Sequence, residues 1–149
     1  MALPERAERF ERVEELGRTA VPSADQPAYQ AYWLLYVGFI AAPIIAGADK
    51  FFGLLTTWTQ YLAPQVPRLT GLKPETLMMG VGIIEIIAGL IVAVKPKIGG
   101  AIVGLWLCGI IVNLLMLGGF YDIALRDLGL AMGAFALSRL AATIERRHP

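Results

Sequence analysis

The sequence contains one cysteine, Cys108, and one histidine, His148. A structural zinc site, a haem held between two histidines and an iron–sulfur cluster each require several Cys or His ligands. A lone cysteine also excludes an intrachain disulfide. We therefore expect no cofactor bound covalently or through metal ligands, and any metal involved in electron transfer would be held by another chain.

Charge is also scarce. Charged residues make up 17% of the chain and the net charge is +1. Because no basic stripe is interleaved with aromatic residues, nucleic acid is excluded as a partner. Residues 1–30 lack the apolar core of a secretory signal, so we expect this segment to remain part of the protein.

Hydrophobic residues are abundant, at 56% of the chain, and they are grouped in blocks. Four blocks, at about 31–50, 76–94, 98–118 and 121–142, have roughly the 20 residues that cross a bilayer as a helix. The sequence thus predicts an all-α membrane protein whose residues 31–149 form an antiparallel four-transmembrane-helix bundle. The lipid bilayer is its first expected partner.

The first 30 residues predict an amphipathic surface helix. Acidic and basic residues are four positions apart with the acid first, which is the favourable order: Glu5/Arg9, Glu8/Arg12 and Glu14/Arg18. Two interpretations remain open, a helix lying on the cytoplasmic membrane face and a docking helix for a partner subunit.

Basic residues predict the orientation. Segments expected on one side of the membrane contain Arg6, Arg9, Arg12, Arg18, Lys95, Lys97, Arg139, Arg146 and Arg147, whereas the opposite loops contain Arg68 and Lys73. Cytoplasmic loops are enriched in Lys and Arg. We therefore predict a multi-pass protein of the inner (cytoplasmic) membrane with both termini in the cytoplasm.

Each predicted span also carries polar residues in its outer half. The candidates for a ligand or proton site are Asp49, Lys50, Glu85, Asn113, Asp122, Arg126 and Asp127. Glu85 is deepest, at roughly 13 Å from the start of its helix. Four carboxylates share two cations, so we expect Asp122 to pair with Arg126 at i, i+4 and Glu85 to be the carboxyl that holds a proton.

Small residues predict where the helices approach one another. Helical spacing places Gly38 and Ala42 on the face of Asp49, Gly82 and Gly89 beside Glu85, and Gly129 and Gly133 beside Asp122 and Arg126. Gly100 and Gly104 form a stripe on the third span. These positions are interpreted as helix-packing sites, with a homo-oligomer interface as the alternative for the third and fourth spans.

The motifs "GADKF", "GVGIIEIIAGL" and "YDIALRDLGLAMGAFAL" resemble those of the DoxX-like family of small four-helix membrane proteins, over roughly residues 31–142. The resemblance implies an inner-membrane bundle. Some members are subunits of a quinone-linked thiosulfate oxidoreductase, and others accompany oxidoreductases whose chemistry lies in a partner. By position it points to Asp49, Lys50, Glu85, Arg126 and Asp127.

Together these features predict an integral membrane subunit of a quinone-linked redox complex, with other membrane subunits as partners and no catalytic residue of its own. Quinone and lipid are the candidate ligands of its buried polar cluster. Two alternatives remain open: a purely structural or assembly subunit whose polar residues only hold the helices together, and a small oligomeric proton-coupled transporter.

Overall fold

The computed structural model describes residue 6, residues 8–13 and residues 26–145. Residues 8–13 are helical and exposed. Of the predicted acid–base pairs in the N-terminal segment, Glu5/Arg9 and Glu14/Arg18 extend outside the described residues. The amphipathic surface helix over residues 1–30 therefore stays a prediction.

The described chain is helical, and four of its helices are long and apolar enough to cross a membrane. After the helical residues 8–13, the helices in chain order are α1 (Pro27–Phe52), α2 (Gln65–Thr70), α3 (Pro74–Val94), α4 (Pro96–Leu117) and α5 (Tyr121–Glu145). A short 3-10 helix, Trp58–Tyr61, precedes α2. The prediction of an all-α chain with four possible membrane spans is confirmed.

Proline and glycine define the helix ends more closely than hydropathy does. α1, α3 and α4 each have proline in the first turn, where its missing N–H leaves no hydrogen bond unmade. α1 ends at Phe52 and is capped by Gly53, whose positive φ of 65° lets its N–H bond to the Asp49 carbonyl. The helices therefore extend beyond some of the apolar blocks, and α1 begins at Pro27 instead of residue 31.

The four long helices pack mainly in two pairs, each formed by long helices that follow one another in the chain. α1 packs mainly against α3, and α4 mainly against α5, while α3–α4 and α1–α5 contacts join the two pairs. The closest α1–α3 approach is at Gly47 and Gly82, where a Cβ built on either glycine would lie 2.6 Å from the other's carbonyl oxygen. Only glycine fits this crossing without a backbone shift.

Other predicted small residues lie at helix contacts too. A Cβ on Gly89 would meet Ile44 of α1, one on Gly100 would meet the Ala134 carbonyl of α5, and one on Gly104 would meet the Phe135 ring. A Cβ on Gly133 would lie 3.3 Å from the Phe39 ring, which is a tight contact.

Three packing predictions are wrong. Gly38, Ala42 and Gly129 are exposed, and a Cβ on either glycine would meet no other atom of the described residues within 4 Å. α1 instead buries Phe39, Gly47 and Asp49. Helical spacing groups residues on a face, but it does not say which face meets a neighbour.

The bundle's interior changes character along its length. Near the α3–α4 connection it is apolar, with a cluster of Phe39, Ala88, Val92, Val103, Ala134 and Leu137. The buried charged residues lie toward the other end, which residues 53–73 cover; we call these residues the capping segment. Large apolar side chains dominate the exposed sides of the spans, for example Leu34, Leu105 and Leu125, as expected of helices that face lipid.

Candidate functional site: a buried polar layer

An ion pair between Lys50 of α1 and Glu85 of α3 lies inside the bundle. The Lys50 Nζ is 2.5 Å from Glu85 Oε2, and the two side chains are 4% and 11% exposed. Each residue lies three positions after the glycine of the Gly47–Gly82 crossing, so the close helix approach also brings the two charges together. The sequence placed both residues among its candidates without predicting that they pair.

The Lys50 ammonium has further contacts on its remaining sides. It donates to the Ala46 carbonyl at 3.4 Å and lies 3.7 Å from the centre of the Trp58 ring. A cation over an indole face is attracted by the ring quadrupole. The capping segment therefore covers the ion pair with an aromatic ring.

Asp49 anchors the capping segment to the end of α1. Its carboxylate accepts hydrogen bonds from the Leu54 N–H at 2.9 Å, the Leu55 N–H at 3.0 Å and the Trp58 Nε1–H at 2.8 Å. Three donors satisfy most of what a carboxylate can accept. Asp49 thus acts as a structural group that positions Trp58 above Lys50.

Asn113 of α4 holds the same segment from the other side of the bundle. Its Nδ2 donates to the Tyr61 carbonyl at 2.6 Å, and its Oδ1 accepts from the Ala63 N–H at 2.9 Å. Ala63 is fully buried. Asn113 therefore satisfies two backbone groups of the capping segment. Neither of these hydrogen bonds is made to Lys50 or Glu85.

Asp127 is the third buried carboxylate. It is 7% exposed and lies on the buried side of α5 with Ala124 and Ala131. Its nearest cation is the Arg126 Nε at 3.8 Å. Within residues 26–145 its carboxylate accepts no hydrogen bond. Asp127 therefore lacks a buried cation, whereas Glu85 is paired with Lys50. That Glu85 is the carboxyl that holds a proton stays a prediction.

The predicted Asp122–Arg126 pair is absent from the described residues. Both side chains are exposed, Arg126 to 68%, and the carboxylate nearest to Arg126 is that of Asp127. The prediction that the Asp122, Arg126 and Gly129 face turns inward is therefore wrong. α5 is rotated so that its alanine-rich side, which packs more closely, faces the bundle.

Trp106 of α4 was missed by the sequence interpretation. Its Nε1 is buried and has no hydrogen-bond partner among the described residues. Val92 and Gly99 are in contact across α3 and α4, and Glu85 and Trp106 each lie seven residues from that contact. The Trp106 side chain is close to the Glu85 carboxylate. Tryptophan usually marks the membrane interface, and a tryptophan in the middle of an apolar block was the signal available.

Lys50, Glu85, Trp106 and Asp127 together form what we call the polar layer. Trp106 acts on Glu85 as a nearby N–H donor, although the contact does not reach hydrogen-bond geometry, and Asp127 acts on Glu85 through its charge. The layer contains one ammonium, two carboxylates and one N–H donor that makes no well-formed hydrogen bond, all in apolar surroundings. This combination can hydrogen-bond a carbonyl or hydroxyl group and exchange a proton with it.

The described residues contain no group of three or more His, Cys, Asp or Glu side chains arranged to hold a metal ion. No family model, no curated protein and no solved structure matches the chain. The DoxX-like resemblance accordingly depends on the short motifs in the sequence.

Proposed function

We propose that this chain is a membrane subunit of a quinone-linked redox assembly and that its polar layer binds the head group of a quinone or quinol. The observation that carries the proposal is the buried Trp106 N–H, which lies beside the Glu85 carboxylate of the Lys50–Glu85 pair but outside hydrogen-bond geometry. A buried N–H without an acceptor is unfavourable by about 1–3 kcal/mol. A ligand carbonyl in the layer removes that penalty.

The chemistry of the layer fits such a head group. A quinone carbonyl accepts a hydrogen bond, which the Trp106 indole supplies, and a quinol hydroxyl donates one, which the Asp127 carboxylate accepts. Asp127 is suited to proton exchange because Glu85 is already paired with Lys50. The electrons pass to and from a redox centre that we assign to a partner subunit.

Binding of a quinone probe by the purified protein tests this proposal. We expect short-chain benzoquinone or naphthoquinone to bind in calorimetry, and Trp106→Phe to weaken the Kd by about tenfold, the effect of roughly one hydrogen bond. Phenylalanine keeps most of the ring packing and removes the N–H. Trp33→Phe is the matched control, because Trp33 is half-exposed near the start of α1.

Two results would contradict the proposal. One is the absence of binding of either probe to a folded wild-type protein. The other is equal affinity of wild type and Trp106→Phe, since the indole N–H would then have no role in recognition. Membrane preparations that retain partner subunits extend the test, because Trp106→Phe should slow quinone-linked turnover while the assembly remains intact.

A structural or assembly role is the second candidate, and Asp49 and Asn113 favour it. The hydrogen bonds of both side chains are made to the capping segment. These two residues therefore hold that segment in place against the helices. Within the predicted cluster, Asp49 and Asn113 would thus serve assembly, whereas the residues of the polar layer would serve ligand binding. Replacing Asn113 should then lower the amount of assembled complex, whereas replacing Trp106 should leave it unchanged.

The proposal includes an antiparallel bundle in the cytoplasmic membrane with both termini in the cytoplasm. The order of contacts supports the antiparallel arrangement, because Gly82 meets Gly47 of α1 whereas Gly89 meets Ile40 and Ile44, earlier in that helix. The excess of Lys and Arg on the side of the termini supports the orientation. The N-terminal segment would then lie on the cytoplasmic face, available to a partner subunit.

A further inference from the structure

The side of α5 that faces away from the bundle carries a stripe of polar and small residues. Asp122, Arg126, Gly129 and Ala136 follow one another at intervals of four, three and seven, so they share one face of the helix. All four are exposed. Gly129 is about 160° around the helix from the buried Asp127, so the described part of the bundle leaves the stripe uncovered.

Charges in this position need partners. The Arg126 side chain is 68% exposed and begins about 7 Å from the start of α5. Charged side chains at membrane depth are normally paired or turned toward protein. Asp122 lies one turn away on the same face, yet the two are not paired within the described part of the chain. Arg126 contacts Asp127 through its Nε at 3.8 Å, but most of its side chain remains exposed. The stripe therefore displays one acid and one base that can pair with another chain.

We propose that this stripe is the contact surface for a second copy of the chain, in a dimer with two-fold symmetry about the membrane normal. In such an interface every contact between different residues occurs twice. Arg126 of each subunit would pair with the partner subunit's Asp122, giving two ion pairs from one acid and one base. The stripe is thus electrostatically complementary to itself.

The shape of the stripe also suits a close helix–helix contact. A Cβ on Gly129 would meet open space within the described residues, and small exposed residues let two membrane helices approach closely. Leu125 and Met132 flank Gly129 and are 70% and 67% exposed. Arginine in a membrane helix extends toward the nearer interface, which is the direction of Asp122.

Cysteine cross-linking in native membranes tests the contact. With Cys108 replaced by alanine, we expect oxidation to convert Gly129→Cys into a disulfide-linked dimer. Gly109→Cys is the matched control and should stay monomeric, because Gly109 is an exposed glycine of α4 that also has open space around it. The dimer should form without added quinone, so this result is independent of the proposed ligand site.

Charge reversal tests the reciprocal ion pairs. In the Gly129→Cys protein, Asp122→Arg and Arg126→Asp should each lower the cross-linked fraction by more than about tenfold, since like charges would then meet. The double exchange should restore it. A monomeric Gly129→Cys protein, equal cross-linking at Gly109, or single reversals without effect would each overturn the proposal. So would a monomer that retains anionic phospholipid through Arg126.

Discussion

The side chain of Lys50 makes three different kinds of contact. Its ammonium pairs with Glu85, donates to the Ala46 carbonyl and lies against the Trp58 ring. Breaking a buried pair by removing one partner is more harmful than replacing both, because the remaining charge stays buried and unpaired. Lys50 is therefore the residue on which the stability of the polar layer depends most.

We predict that Lys50→Met lowers the free energy of unfolding by about 3–5 kcal/mol. Adding Glu85→Gln should recover most of that loss, because the unpaired carboxylate is removed. Detergent-induced unfolding followed by circular dichroism measures both. Lys73→Met is the control, since Lys73 is exposed at the start of α3. An equal loss in single and double variants would show that the ion pair is not what Lys50 contributes.

The identities of the buried polar residues were largely predictable, whereas their partners were not. Asp49, Lys50, Glu85 and Asp127 stand out because charge is rare in apolar blocks. Their pairing depends on rotations of four helices about their own axes, and a single sequence contains no signal for those rotations. Trp106 was missed because an indole ring in an apolar helix is consistent with simple core packing.

At the scale of the helices, the α1–α3 crossing places the layer. Gly47 and Gly82 bring two backbones within contact distance, and the charged residues lie one turn from that point. Small residues were expected at helix contacts. In α1 the predicted contact residues were Gly38 and Ala42, whereas the contact is made at Gly47. Helical spacing alone does not show which of several small residues lies at a helix contact.

A pair of alanine substitutions in α1 tests this crossing. Gly47→Ala should destabilise the protein by about 1–3 kcal/mol, the usual effect of overpacking, because its Cβ would lie 2.6 Å from the Gly82 carbonyl oxygen. Gly38→Ala, in the same helix but exposed, should leave stability unchanged or raise it, since alanine favours helix. Unfolding in mixed micelles compares the two. Equal stability of both variants would contradict the close approach.

At the scale of the molecule, the number of membrane-spanning helices can be predicted from composition. Which of these helices pack most closely against one another cannot. Block length and proline positions predict four helices, and a short α3–α4 connection predicts that those two are adjacent. The stronger pairings are α1 with α3 and α4 with α5, and they depend on side-chain fit along whole helices. The two-sided anchoring of the capping segment likewise depends on Asp49 and Asn113, which are 64 positions apart in the sequence.

The orientation of the molecule gives the last prediction. If both termini are cytoplasmic, the capping segment lies outside and the α3–α4 connection inside. In a Cys108→Ala protein, Gln65→Cys should react with a membrane-impermeant maleimide in intact cells. Lys97→Cys should react only after lysis. Both positions are exposed, so accessibility to solvent is matched and the membrane alone separates them. The reverse pattern would place the polar layer in the cytoplasmic half of the bilayer, and quinone exchange would then occur from that side.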